Sequence, residues 1–565
     1  MRVFFSLFFV SALPLMAMAG VAAPLREFNV RDYGAVGDGV ALDTAAINRA
    51  IEAAAAAGGG TVRFTSGVYL SFSVRLKSNL TLYFEKGAVL RAATPAPGFG
   101  AYDLPEPNEP GEKFRYQDFG HSHWHNSLIW GEELENVTLA GAGLIDGNGL
   151  VRNAGDRRRD GPNGTPTSAN GTPAEANGRA LPANVVGVGD KAISLKNCRN
   201  VVIRDLSLRL CGHFAVLATG IDRLTLENLT VDTNRDGFDI DACRDVVVRA
   251  CRVNTPNDDA IVLKSSHALG KIRDVEDVRV IGCTVSGYDA GTLIDGTRRQ
   301  TMIHAPDRDG PTGRVKLGTE SSGGFKRITI ADCTFEHCRG LAIETVDGGA
   351  IEDVTVRNLT MRDIVSSPIF IRLGNRGRSP AGTPVSSIRR VTISDVTVTN
   401  ADARYASIIA GLPGHPVEEV SLKNIRIEYK GGLTLAQVAQ QPAELINPFF
   451  LRGAGLTGPR DPFSPPEQEK AYPEPSMFGL LPAYGFFIRH AAAITMEDVE
   501  VSFTAADNRL PVVLQDVAGI KFERFKAQRA DGTPFFALKD VTNFTTKACP
   551  GMADTEKTEV VTGSF

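Results

Sequence analysis

Nine segments of this chain are written on one template. They are NVVIRDLSL from Asn200, RLTLENLTV from Arg223, DVVVRACRV from Asp245, DVRVIGCTV from Asp277, RITIADCTF from Arg327, DVTVRNLTM from Asp353, RVTISDVTV from Arg390, EVSLKNIRI from Glu419 and AITMEDVEV from Ala493. In DVVVRACRV the apolar residues fall at n, n+2, n+5 and n+7, the pattern of two short strands joined by a bend. A short polar side chain often sits at the bend, as Asp205, Asn228, Asp332, Asn358, Asp395, Asn424 and Asp498 do, where it can satisfy the turning backbone. The closest spacing of the segments is 22 to 23 residues. That is one coil of a solenoid in which each strand stacks on its counterpart one coil away, about 4.8 Å distant. Glycine is plentiful, tryptophan is scarce and helix signals are few, so the chain is expected to be all-β: a single-domain, right-handed parallel β-helix (solenoid) with long loop insertions. Wider spacings mark the coils that carry those loops.

The ends of the chain read differently from its middle. Arg2 precedes the apolar run FFSLFFVSALPLMA, and Ala17-Met18-Ala19 supplies small residues at a cleavage position, so residues 1–19 are expected to be a signal peptide. Export to the periplasm or the extracellular space follows as an expectation, and no later run is long and apolar enough to span a bilayer. Residues 20–100 should form an N-terminal cap and the first coils. Within them Asp43 is a plausible N-cap, Ile47, Ile51 and Ala54 share one face, and Gly58 to Gly60 end the helix. Such a helix would cover the unpaired edges and open core at the end of the solenoid. Here DYGAVGDG, DTAAINRAI and GGGTVRF resemble the entry cap of the pectate lyase superfamily. The β-helix is expected over 101–545 and a C-terminal tail over 546–565, with insertions at 151–190, 266–312 and 429–490. Insertions in a solenoid tend to cluster on its binding face.

Cys251, Cys283 and Cys333 occupy one template position and should stack in the core as free thiols, because parallel strands hold their Cβ vectors parallel whereas a disulfide needs a specific dihedral. The other five cysteines have no evident partner spacing. HSHWH, from His121 to His125, has alternating histidines but no matching carboxylate or cysteine spacing. It is read as a rim loop whose Trp124 stacks on a sugar, and no metal site is assigned. The net charge of −4 gives no warrant for nucleic-acid binding.

The chemistry concentrates in Val231–Lys264, VDTNRDGFDIDACRDVVVRACRVNTPNDDAIVLK. Asp236, Asp239 and Asp241 lie in one coil, and Asp258 and Asp259 in the next. Stacked carboxylates repel when ionised, so one is expected to hold its proton beside ionised partners. A second register carries these residues: HFAVLAT from His213, DGFDIDA from Asp236, DAIVLKS from Asp259, GRVKLGT from Gly313, LAIETVD from Leu341 and PIFIRLG from Pro368. Alternation along a strand sends Phe238 and Ile240 inward and Asp239 and Asp241 outward. By the same count Lys316, Glu344 and Arg372 point out near the acids, with Lys264 close by. Cations beside clustered carboxylates suit an acidic ligand in a sugar-binding cleft.

Across nearly the whole mature chain these features resemble the polygalacturonase family, glycoside hydrolase family 28. TNRDGFD is similar to its Asn-Thr-Asp motif and PNDDAI to its paired-Asp motif. The resemblance implies a pectic poly- or oligosaccharide substrate containing α-linked galacturonic acid, no cofactor, and inverting hydrolysis. Asp258 would be the general acid, and Asp236 and Asp259 the pair that activates water. From the register and the rim loop, Asp239, Lys264, Arg314, Lys316, Glu344, Arg372, His213 and Trp124 are the candidate lining of the substrate site. Two departures stand out. Gly313 occupies the place of the family's Gly-His-Gly histidine, and Ala342 and Glu344 replace the two cations of its Arg-Ile-Lys motif. A rhamnogalacturonan-type or other branched pectic linkage is therefore an alternative substrate. A calcium-dependent pectate lyase and a noncatalytic glycan-binding solenoid are the rival classes. Attack from a chain end is expected if the insertions close one side of the cleft, with Arg298, Arg299, Trp124 and Tyr484 recognising the end sugar. Nothing in the chain fixes the oligomeric state. A chelator such as EDTA is expected to leave turnover unchanged; inhibition reversed by calcium would turn the assignment toward the lyase.

Overall fold

The computed structural model describes residues 26–106, 116, 119–151, 175–176, 179–180, 187–301, 310–447 and 458–564. The expected signal peptide and most of the 151–190 insertion lie outside the described residues. Consecutive coils pair in parallel throughout, and only the last strand pair of the solenoid is antiparallel. The architecture is a parallel β-helix with three faces. The first runs through Arg199–Arg204, Asp222–Glu227, Arg244–Arg249 and Val275–Ile281, and the second through Ser207–Arg209, Thr230–Asp232, Arg252–Asn254 and Thr284–Ser286. The third runs through Phe214–Thr219, Phe238–Asp241, Ile261–Ser265, Val315–Ser321, Leu341–Thr345 and Ile369–Leu373. From Phe325–Glu336 onward the first two faces join into single long strands.

The template works through its corners. The first residue of each of the nine segments, from Asn200 to Ala493, has φ between 54° and 63°, and the seven polar bend residues have φ between 50° and 63°. Left-handed backbone costs an L-residue roughly 1–2 kcal/mol, and Asn and Asp tolerate it best through local hydrogen bonding. Here they recover part of that cost from one another. Asn228 Nδ2 donates to Asp205 at 2.8 Å, Asn358 to Asp332 at 2.8 Å and Asn424 to Asp395 at 2.7 Å, each across one coil. At the other corner Asn200 donates to Asn136 and Asn136 to Asn79, both at 2.8 Å. Inside, the alternating apolar residues form one continuous core from Val30 to Val560.

Both ends are closed. The helix Thr44–Ala56 buries Ala46, Ile47, Ala50, Ile51 and Ala54 against the first coils. Asp43 precedes it but does not cap it; its carboxylate accepts instead from the amides of Val36 and Gly37, at 2.7 and 3.1 Å, and so ties down the preceding loop. At the far end, residues expected to be a tail form the strand Thr555–Ser564, which pairs antiparallel with Phe536–Lys547 and covers that strand's edge. No helix among the described residues is long and apolar enough to cross a membrane.

All eight cysteines are buried and free. Each Sγ of Cys251, Cys283 and Cys333 lies 3.6–3.8 Å from a carbonyl oxygen of the preceding coil, so the three thiols stack with the strands. Burial raises the Cys211, Cys243 and Cys338 thiols, and it acts with the neighbouring thiols on Cys283 and Cys333. A thiol reagent such as DTNB is expected to label none of the eight in the native protein and all eight after unfolding in guanidinium. Rapid labelling of the folded chain would show that the core is open.

Candidate active site

The third face presents a column of outward side chains that the register aligns: Leu217, Asp239, Val262, Lys316, Ala342 and Phe370 sit on successive coils. Phe238 and Ile240 turn into the core, as alternation requires. Asp236 and Asp258 occupy the turns that lead into two consecutive strands of this face. One oxygen of each, together with a His213 ring nitrogen, falls within a 4.8 Å span. Asp236 is 2 % exposed and Asp259 4 %, whereas the Asp258 side chain keeps 24 % of its surface. Solvent and ligand therefore reach the acids from the Asp258 side.

The three aspartates have different electrostatic surroundings. Burial, then the neighbouring Asp258, pushes Asp236 well above the usual carboxylate range; Lys264 and Arg235 only partly oppose this. Asp258 is ion-paired with Arg235, whose guanidinium lies 4.0 Å from Asp236. Asp259 behaves oppositely. Burial alone would raise it, but Lys316 at 3.4 Å and Arg314, whose Nε donates at 2.9 Å, overcome burial and hold it at about 2. The sequence reading gave the proton to Asp258. In the structure burial and the adjacent Asp258 carboxyl raise Asp236, and Arg235 lies closer to Asp258 than to Asp236. The oxygens of Asp236 and Asp258 also approach more closely than the roughly 6.5–9.5 Å that usually separates the two carboxyls of an inverting site.

The remaining candidates divide into those that reach the acids and those that do not. Lys264 pairs with Asp239 at 2.7 Å and with Glu320 at 3.6 Å, and also contacts His121 Nε2. Burial would raise Asp239, yet Lys264 and His121 keep it below its ordinary value. Lys316 bridges Asp259 and Glu344, the latter at 3.5 Å. Glu344 is fully buried, and burial lifts its carboxyl to about 7 against the pull of Lys316 and Arg314. His213 Nε2 lies 3.5 Å from Asp236, with its ring stacked on Phe214 at 4.2 Å.

Arg372 and Trp124 have other work. Arg372 is fully buried and donates to the carbonyls of Gly411 at 2.9 Å and Glu467 at 2.8 Å, so it anchors the incoming 458–482 segment. Trp124 is 3 % exposed; its indole N–H donates to Thr219 at 3.0 Å and its ring lies under the Lys196 ammonium, so it is packing and offers no stacking platform. Tyr484 likewise is core, with its hydroxyl 3.2 Å from the Val501 carbonyl. Arg298 and Arg299 are exposed on a loop whose backbone is held by Asp232, which accepts from the amides of Gly291, Leu293 and Ile294 at 2.8–2.9 Å. The expected end-sugar pocket does not assemble from these four residues.

The residues that do close on the acids come from two segments. The first is Phe119–Ser122, which brings His121 Nε2 to 3.1 Å from Asp239. The second is 458–482, which brings Tyr472 and Glu474 across the face. The Tyr472 hydroxyl accepts from Lys316 at 3.1 Å, and Glu474 accepts from Arg314 Nη1 at 3.1 Å and pairs with Arg339 at 3.1 Å. Sequence reasoning missed Glu474, Tyr472, Glu320 and Arg235. Of these only Arg235 carried a signal, its position inside TNRDGFD. His125, within HSHWH, pairs with Glu132 at 3.0 Å and Glu106 at 3.4 Å. The structure thus supplies the carboxylates that the sequence reading did not find beside HSHWH: ligand atoms of Glu106, His125 and Glu132 lie within 4.8 Å of one another, and the Lys196 ammonium also binds Glu132 at 2.6 Å.

Replacing Arg314 by Ala should let the Asp259 carboxyl rise from about 2 toward its ordinary value. If Asp259 must be ionised for turnover, activity is present above its pKa and lost as pH falls through it. The acid limb of kcat/KM should therefore move to higher pH in Arg314→Ala, and less far in Arg314→Lys. Superimposable pH profiles for wild type and both variants would remove Asp259 from the reaction.

Comparison with known proteins gives the site a context. Residues 27–107 match a model described as rhamnogalacturonase A/epimerase, pectate lyase-like; 177–305 match the right-handed β-helix region; and 316–445 match glycosyl hydrolases family 28. A probable polygalacturonase of Vitis vinifera is 23% identical over 448 residues, which covers 74% of this chain and 77% of that protein. An exo-poly-alpha-D-galacturonosidase of Dickeya chrysanthemi is 22% identical over 66% of this chain, which spans 63% of that relative's length. Among solved structures, the family 28 exopolygalacturonase of Yersinia enterocolitica superimposes with a TM-score of 0.55 at 16% identity, over 88% of this chain and 78% of that one. The hyperthermoactive exopolygalacturonase of Thermotoga maritima gives 0.52 at 21% identity, over 72% and 87%.

Proposed function

We propose that this chain, a glycoside hydrolase resembling the polygalacturonases of family 28, cleaves a glycosidic bond in galacturonate-containing pectic polysaccharide by acid–base catalysis at Asp236, Asp258 and Asp259. The observation that carries the reading is the division of the three aspartates on two stacked coils. Asp236 and Asp258 form a pair in which the buried member is driven toward protonation, and Asp259 is held ionised by Arg314 and Lys316. Glycoside hydrolysis needs both a proton for the leaving oxygen and a carboxylate for water.

In this mechanism the Asp236/Asp258 pair shares one proton, and Asp258, the more exposed member, passes it to the leaving oxygen. Arg235 then stabilises the carboxylate that remains. Asp259 orients water beneath the sugar, and Asp236, left ionised once that proton has gone, takes the proton the water sheds as its oxygen bonds to the anomeric carbon; inversion is what the family resemblance implies, against an Asp236–Asp258 approach shorter than inverting sites usually show. His213, 3.5 Å from Asp236, orients that carboxyl. Attack from a chain end is supported by the 458–482 segment, which Arg314, Arg339, Lys316 and Arg372 lock over one side of the acids. A polymer could not thread past a wall held by buried ion pairs without breaking them, at about 3–5 kcal/mol for each pair. Action outside the cytoplasm, through the signal sequence at 1–19, completes the proposal and agrees with a polymeric substrate.

The amide in Asp258→Asn cannot deliver a proton. That variant should lose at least a thousandfold in kcat while oligosaccharide still binds and the unfolding temperature stays within a few degrees of wild type. Near-normal turnover by the purified variant would exclude Asp258. Proton NMR of the first-formed anomer tests inversion, since release of the opposite anomer from the bond cleaved is required. Early products of one fixed short length support end attack, and a rapid spread of intermediate lengths would sink it.

A further inference from the structure

His125 stands between two carboxylates that the fold brings from separate stretches of chain. Glu106 lies beyond the strand Ala88–Ala92, His125 follows the turn Phe119–Ser122, and Glu132 ends the strand Ser127–Glu132. Glu106 Oε1 at 3.4 Å and Glu132 Oε2 at 3.0 Å both approach one atom, His125 Nε2. One ligand atom of each residue falls within 4.8 Å of the other two.

The groups are also held from behind. Trp124 N–H donates to Glu106, at 2.9 Å to Oε2 and 3.2 Å to Oε1, and the Lys196 ammonium binds Glu132 at 2.6 Å through Oε1, the oxygen turned away from His125. The His125 ring is stacked on Trp130 with centroids 4.0 Å apart. One atom of each ligand thus converges while second partners fix its orientation, which is how metal ligands are supported. Lys196 takes the outer oxygen of Glu132 and leaves the inner one for a cation. A single proton on Nε2 serves Glu132 at hydrogen-bond distance and leaves Glu106 Oε1 too far away. An ion at the centre serves all three.

A zinc ion with bonds of about 2.0–2.1 Å at tetrahedral angles holds its ligand atoms about 3.3 Å apart. The two separations at His125 lie on either side of that value. The side chains of His125, Glu106 and Glu132 keep 26 %, 19 % and 26 % of their surface, so an ion has a way in and water can supply the fourth ligand. One imidazole nitrogen with two carboxylate oxygens suits zinc; calcium, which takes roughly six to eight oxygens, finds too few here.

From this convergence we propose that Glu106, His125 and Glu132 bind one zinc ion, which fastens the HSHWH segment to the scaffold. The same segment carries His121, whose Nε2 lies 3.1 Å from Asp239 and contacts Lys264. The ion takes no part in hydrolysis. It steadies this side of the site, and its removal lowers the unfolding temperature without stopping turnover.

The test uses the full chain, treated with EDTA, dialysed, and titrated calorimetrically with zinc chloride. Wild type is expected to bind one equivalent with a micromolar or lower Kd, to unfold a few degrees higher when zinc is well above that Kd, and to hold its zinc against a large excess of calcium chloride. His125→Phe keeps a ring on Trp130 and removes the nitrogen; Glu106→Gln and Glu132→Gln keep size and remove charge. Each should weaken zinc at least tenfold and lose the thermal shift, while unfolding without metal close to wild type. Should the His125 variant fail to fold, the two glutamine variants carry the same reading. Failure of wild type to bind zinc overturns the proposal, and so does undiminished binding by the folded variants. His213, Asp236 and Asp258 also bring ligand atoms together. Loss of zinc in His213→Ala with retention in His125→Phe would place the ion among the aspartates and overturn the assignment made here.

Discussion

Everything in this molecule depends on the vertical stacking of one coil on the next. Parallel strands about 4.8 Å apart leave no freedom in which side chain lies above which. A slip of one residue would exchange the core and the surface of a whole coil. The corners fix the register. At each, a residue is held in the left-handed region, and the Asn and Asp side chains there bond to their equivalents one coil away. The same stacking that aligns valines inside aligns charges outside. The active face is therefore a consequence of the scaffold: Asp239, Val262 and Lys316 share a column because their strands share a register.

Putting that many charges on one face carries a desolvation cost that ion pairing must offset. The solution is a branched network in which each cation serves two acids: Lys316 for Asp259 and Glu344, Arg314 for Asp259 and Glu474, Lys264 for Asp239 and Glu320. Sharing keeps Asp259 ionised while burial pushes Glu344 and Asp236 the other way. Neighbouring carboxyls of one chemical kind are thereby pushed in opposite directions, the split that acid–base catalysis uses. The network also joins the loop to the coil. Glu474 arrives 160 residues after Arg314 in sequence, yet it completes that arginine's coordination.

What the sequence made legible follows from the same physics. The coil period, the inward and outward alternation, the stacked cysteines and the aspartate cluster are all local or periodic, and periodic information survives in a single sequence. The bend residues Asp205, Asn228 and Asp332 could be picked out as polar, though not as left-handed, because composition at a bend does not specify φ. Long insertions carry no period. Nothing near Glu474 or Tyr472 announced that they would return to Arg314 and Lys316, and Tyr484 reads as well for a pocket as for a core. Trp124 and Arg372 were misplaced for a related reason. Arg372 does point outward from its strand, but the 458–482 segment covers it, and the loop that carries Trp124 lies down on the strands that end in Lys196 and Thr219.

The two motif departures become intelligible as one exchange of charge. Arg314 and Lys316 approach Ala342 and Glu344 from the preceding coil, and each is met by a carboxyl. Adding a cation on one coil and an acid on the next leaves this part of the network near balance. Reversing only one member would strand its partner, so Glu344 and Lys316 constrain each other, as do Glu474 and Arg314. A preference at this face is thus a property of the linked coils and of the 458–482 segment together. Single substitutions are expected to couple strongly within that group and to add independently outside it.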